Sequence, residues 1–85
     1  MKVVMPSALY SYTERSEVAA DGATLRAVLT DLDRQYPGIR FRMIDEQERI
    51  RPHIRYFLNG EQVHDLKQPL RASDELIIVQ ALSGG

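Results

Sequence analysis

Apolar and polar positions alternate at the start of the chain, where Val3 and Met5 fall on one side of "MKVVMP" and Lys2 and Val4 on the other. A period of two predicts a strand with one face toward a core. Pro6 ends that strand or places it near a sheet edge, because proline has no N–H for the ladder. After "SALYSYTER", the stretch "SEVAADG" reads as a short second strand with Val18 and Ala20 inward, and Asp21-Gly22 supplies turn chemistry. The period then changes. In "TLRAVLTDLDRQYPG", Leu25, Val28, Leu29, Leu32 and Tyr36 form the stripe of an amphipathic helix, leaving Arg26, Asp31, Asp33 and Arg34 for solvent. Thr24 is placed to cap it, and Pro37-Gly38 to stop it.

Period two returns in "HIRYFLNGEQV", with Ile54, Tyr56 and Leu58 on one face. Asn59-Gly60 predicts a tight hairpin, since a type I′ turn requires positive φ at both central residues. A loop, a turn at residues 72–74 and a last strand in "ELIIVQ" complete the order: strand, strand, helix, strand, short return, strand. A helix apolar on one side must rest on a sheet. The expected fold is therefore α+β with the β-grasp arrangement, a mixed sheet of four to five strands with one main helix on one face. Residues 1–80 are expected to form the domain and residues 81–85 a flexible tail.

The last strand is apolar on both sides. Leu76 and Ile78 form one set, Ile77 and Val79 the other, and a single helix can cover only one of them. With Leu76 and Ile78 inward, Ile77 and Val79 are left to join Phe57 in a small docking patch. The competing expectation is that residues 39–52 fold back as a loop over this face.

Composition narrows the partners. Eighty-five residues make one domain, and a chain of that size buries about 60–65% of its unfolded surface. The formal net charge is −1, so no strong field recruits nucleic acid or anionic lipid. The segment "IRFRMIDEQERIRPHIR" does gather five arginines, Arg40, Arg42, Arg49, Arg51 and Arg55, but Asp45, Glu46 and Glu48 are interleaved with them. A solvated mixed-charge loop is the expectation there, not a phosphate track. No cysteine is present, which removes disulfides, thiolate metal sites and thiol nucleophiles and suits a reducing interior. "MKVVMPSAL" makes a poor signal peptide, and no apolar run approaches a membrane span. A cytoplasmic location is expected, with no membrane or nucleic-acid partner. His53 and His64 lack further spaced ligands, so no metal site is expected. No serine, histidine and acid grouping suggests hydrolysis, and the domain is expected not to be an enzyme.

The sequence closes on "ALSGG". Five extended residues reach roughly 17 Å, far enough to carry a terminal carboxylate into another protein's pocket. Glycine at positions 84 and 85 removes the Cβ atoms that would obstruct a narrow channel. A frayed end without function is the plainer reading of the same residues.

Taken together, "MPSAL", "DGATLRAVLTDLDRQYPGI", "YFLNGEQV", "PLRASDELIIV" and the final "GG" resemble the ubiquitin-like sulfur carriers. That group contains the molybdopterin synthase small subunit (MoaD), the thiamine carrier (ThiS) and the cysteine-biosynthesis carrier (CysO), and the likeness is closest to the CysO type. The resemblance implies that Gly85 is adenylated by an E1-like adenylyltransferase/sulfurtransferase at the expense of ATP and converted to a thiocarboxylate, with Gly84 permitting close approach. It implies a second partner, a sulfur-accepting biosynthetic enzyme of cysteine-synthase-like or molybdopterin-synthase-like kind. Phe57, Ile77 and Val79 would form the recognition face and Leu82 an anchor where the tail enters its partner. No cofactor would be bound by the chain itself, which is expected to be a monomer when free. Two other classes remain open on the residues: a modifier joined through Gly85 to target lysines, and a passive β-grasp interaction module.

Overall fold

The computed structural model describes residues 1–81. Strand β1, Lys2–Val4, leads into a 3₁₀ turn, Ser7–Leu9, and a one-turn helix α1, Tyr10–Thr13. Strand β2, Glu17–Ala19, precedes the main helix α2, Leu25–Gln35, and a short helix α3, Ile39–Met43. Strands β3, Ile54–Leu58, β4, Glu61–Val63, and β5, Glu75–Gln80, follow. The five strands form one sheet in the order β2-β1-β5-β3-β4. β1 and β5 run parallel, whereas the other neighbours are antiparallel. This is the β-grasp arrangement that the period changes predict.

The core lies between the sheet and the helices. Leu25, Val28, Leu29 and Leu32 of α2 are fully buried and meet Val3, Val18, Ile54, Tyr56, Leu76 and Ile78 from alternate strand positions. Thr24 caps α2 as expected, its Oγ1 accepting from the Ala27 N–H at 3.2 Å. The first amides of α2 have no partners within the helix. The connection from β4 to β5 meets them: Leu25 donates to the Gln68 carbonyl at 3.0 Å and Arg26 to the Leu66 carbonyl at 2.9 Å, while Leu66 and Leu70 are themselves buried. The hairpin turn takes positive φ at both central residues, 50° at Asn59 and 90° at Gly60.

Residues 39–52 depart from the expected solvated loop. The main helix closes at Tyr36, whose N–H donates to the Leu32 carbonyl at 2.7 Å. Gly38, at φ 97°, starts α3, with Asp33 Oδ1 accepting from the N–H groups of Gly38 and Arg40 at 3.1 Å each. Ile39, Met43 and Ile44 are fully buried in the same core as α2. The i, i+4 pair of Ile39 and Met43 anchors the short helix, and the hydrophobic gain of burying these residues outweighs the charge around them. This segment covers the helix side of the sheet and leaves the opposite face open.

Candidate functional site

Alternation along each strand sets what the open face presents. On β5 the core takes Leu76 and Ile78, at 0% and 1% exposure, leaving Glu75, Ile77 and Val79 for the outer side. Register places Ile77 opposite Phe57 of β3 and beside Val4 of β1, and Val79 opposite Arg55. Val4, Phe57 and Ile77 are half-buried, and Val79 is 37% exposed. The structure therefore brings Phe57, Ile77 and Val79 onto one surface. It adds Val4, which sequence reading missed. The signal for Val4 is its place opposite Val3 in the alternation of β1, but only the parallel pairing of β1 with β5 brings it to the patch.

Charge frames this apolar strip. Lys2 Nζ lies 3.1 Å from Glu75 and 3.6 Å from Glu17, across three neighbouring strands. Its hydrogen bond to Glu75 and then the charge of Glu17 hold its ammonium above the usual lysine pKa. Arg55 stands on the other flank, cross-strand from Val79.

At the end of β5 the ladder runs one residue past the strand, the Ala81 N–H donating to the His53 carbonyl at 2.7 Å. Leu82, Gly84 and Gly85 lie outside the described residues. The route toward them starts at a hydrogen-bonded position beside β3. Among the described residues, no group of three or more histidine, cysteine, aspartate or glutamate side chains could hold a metal ion. No helix among them is long and apolar enough to cross a membrane.

The ThiS family profile matches residues 3–85, which takes in both the strip and the glycine pair. The chain belongs to the ThiS family. One relative is the sulfur carrier protein CysO of Mycobacterium tuberculosis, 32% identical over 89 residues that span 98% of this chain and 96% of the relative. Among solved structures, a chain of the Amycolatopsis orientalis BexX/CysO complex superposes with a TM-score of 0.90 at 30% identity, covering 99% of this chain and 98% of that one. SAMP1 from Haloferax volcanii superposes with a TM-score of 0.80 at 27% identity, over 100% of this chain and 98% of that one.

Proposed function

We propose that this ThiS-family chain is a sulfur carrier whose Gly85 carboxylate is activated by an E1-like enzyme and converted to a thiocarboxylate. The end-to-end likeness to CysO carries this reading, since 98% of this chain aligns with 96% of that carrier. A carboxylate is a poor electrophile. Attack of its oxygen on the α-phosphorus of ATP expels pyrophosphate and yields an acyl adenylate. A hydrosulfide-level donor then attacks the acyl carbon, AMP leaves, and the Gly85 thiocarboxylate results. Its sulfur is nucleophilic and can be passed to an acceptor held by a second, biosynthetic enzyme.

The chain is substrate and handle in this scheme, and its partners do the catalysis. Phe57, Ile77, Val79 and Val4 supply an apolar strip through which partners grip the body, and Leu82 enters the partner's channel ahead of the glycines. Gly84 and Gly85 present no Cβ to the channel walls.

The experiment is incubation of the chain with ATP, sulfide and the adenylating enzyme of its host, followed by alkylation with iodoacetamide and intact-mass measurement. With no cysteine in the chain, an alkylated product localised to Gly85 identifies the thiocarboxylate. It also separates sulfur exchange from oxidation of one of the three methionines, which adds nearly the same mass. A chain left unalkylated under conditions in which the enzyme loads its known carrier would refute the proposal. The likeness to SAMP1, a small archaeal modifier protein, favours one second reading, conjugation to protein lysines, and isopeptide-linked Gly85 in host extracts would support it.

A further inference from the structure

Folding splits the arginines of residues 40–55 into two groups. Arg40 lies 3.4 Å from Glu48 and Arg49 lies 3.2 Å from Asp45, while Arg26 joins Glu48 at 2.8 Å. Arg42, Arg51 and Arg55 have no carboxylate partner among the described residues. Neutral groups hold them instead. Arg42 Nε donates to the Tyr12 hydroxyl at 2.8 Å. Arg51 Nε donates to the Phe41 carbonyl at 2.6 Å, and its guanidinium lies 4.5 Å from the Phe41 ring centroid. Arg55 donates to the carbonyls of Pro52 and Ile54. These contacts orient the cations without neutralising them.

The cluster sits where β5 ends. Phe41, Arg42, Arg51 and His53 line a depression of about 230 Å³. Arg42 and His53 also line a second, of about 260 Å³, together with Tyr12 and Gln80. The carbonyl of this same His53 holds the Ala81 N–H, so the cations border the root of residues 82–85. Arg55, opposite Val79, connects them to the apolar strip. Phe41, 55% exposed, is the most exposed large hydrophobic side chain among the described residues.

We propose that this surface docks carboxylates of the enzyme that activates Gly85, on an acidic rim around the mouth of its tail-binding channel; the inference rests on the sulfur-carrier reading. A guanidinium fork matches a carboxylate in a bidentate manner. An arginine stacked on an exposed aromatic ring, continuous with an apolar strip, has the composition of a protein-interface anchor. The net charge of −1 gives no general attraction, so pairing with an acidic partner depends on this local cluster.

The test is steady-state thiocarboxylation by the host's adenylating enzyme, comparing the natural chain with Arg42→Glu/Arg51→Glu and with Arg15→Glu/Lys67→Glu. The second variant makes the same charge change at two exposed cations elsewhere. The first is expected to raise the KM for the carrier roughly tenfold or more, with kcat at saturation unchanged. Added salt should raise the KM of the natural chain and leave that of the variant nearly flat. Thermal unfolding confirms that each variant is folded, and Arg42→Gln/Arg51→Gln should give a smaller rise in KM. A first variant with natural KM and salt response overturns the inference alone, as does equal impairment by the control pair. Competition by inorganic phosphate at fixed ionic strength that disappears with Arg42 and Arg51 also overturns it, by making the cluster an oxyanion site. Failure of the natural chain to be activated at all overturns the sulfur-carrier reading and this inference with it.

Discussion

Phe57 and Ile77 stand directly opposite each other across the β3–β5 pair, on the sheet face away from the helices. Leu76, one residue earlier in β5, is fully buried on the other face. One peptide bond thus separates a core position from a position on the proposed docking strip, which gives a clean comparison. Leu76→Ala should cost about 2–5 kcal/mol of stability by cavity formation and lost burial. Ile77→Ala should cost about 1 kcal/mol or less and should weaken capture by the activating enzyme. Urea unfolding and a binding titration on both variants check this pair of outcomes, and equal destabilisation would remove the docking role.

Gly22 and Gly60 are both glycines, but for different physical reasons. A Cβ on Gly22 would lie 2.6 Å from the Val28 nitrogen and 2.7 Å from the Ala27 carbonyl carbon, against backbone that cannot swing away. Gly60 has φ +90° and open space where its Cβ would stand. Gly22→Ala should therefore destabilise by about 1–3 kcal/mol through overpacking. Gly60→Asn should be strained by the positive φ yet cost less than Gly22→Ala, since asparagine tolerates left-handed backbone better than other side chains, whereas Gly22→Asn should be at least as damaging as alanine. Denaturant midpoints for the three variants decide it. Asp21-Gly22 reads in sequence as turn chemistry, and the close approach to α2 becomes visible only once the helix is docked.

What the sequence made legible follows the length and regularity of each element. The stripe from Leu25 to Tyr36 repeats over three turns, and Asn59-Gly60 leaves little choice of turn, so both were readable. Helix α1 has four residues, too few to display a 3.6-residue period. Helix α3 was hidden because Pro37-Gly38 signals a stop, while Gly38 also serves as its start, and because Ile39 and Met43 are surrounded by charge. The outward set of Phe57, Ile77 and Val79 came from alternation alone. The arginines without a carboxylate partner among the described residues did not. Glu48 lies nearer Arg49 and Arg51 in sequence than Arg26, yet folding pairs it with Arg26 and Arg40 and leaves Arg51 on Phe41.

Three solvent-accessible carboxylates should contribute to the acid limb of stability. Asp74 accepts from Asn59 Nδ2 at 2.9 Å and from the Arg71 N–H at 2.8 Å, while Asn59 Oδ1 takes the Glu75 N–H at 3.0 Å, fastening the hairpin to the start of β5. The Asn59 bond, then the Arg71 amide, holds Asp74 below the usual carboxylate pKa. Asp31 is lowered chiefly by the Asp21 amide and then by Arg34, and Asp45 chiefly by the Arg49 amide. A folded-state pKa below the unfolded one means the folded chain favours the charged carboxylate. This contribution is present above the unfolded value, near pH 4, and is lost as pH falls through the folded values. Urea midpoints should drop on acidification below about pH 4, and Asp31→Asn or Asp74→Asn should each flatten that drop. A pH response unchanged in both variants would contradict the assignment.

Tyr56 offers a substitution that separates the body's stability from its task. The side chain is fully buried on the helix side of β3, opposite Ile78 and Val63, and its hydroxyl has no hydrogen-bond partner among the described residues. Burial pushes the phenol well above its usual pKa. An unpaired hydroxyl in an apolar setting carries a desolvation penalty, and phenylalanine keeps the ring while deleting it. Tyr56→Phe should raise stability by about 1 kcal/mol. Because the ring points away from Phe57, Ile77 and Val79, the KM for thiocarboxylation should not change. Calorimetric unfolding and loading kinetics on the same preparation test both halves. Lower stability in the phenylalanine variant would mean that the hydroxyl has a partner in solution, and a changed KM would mean that the two faces of the sheet are coupled.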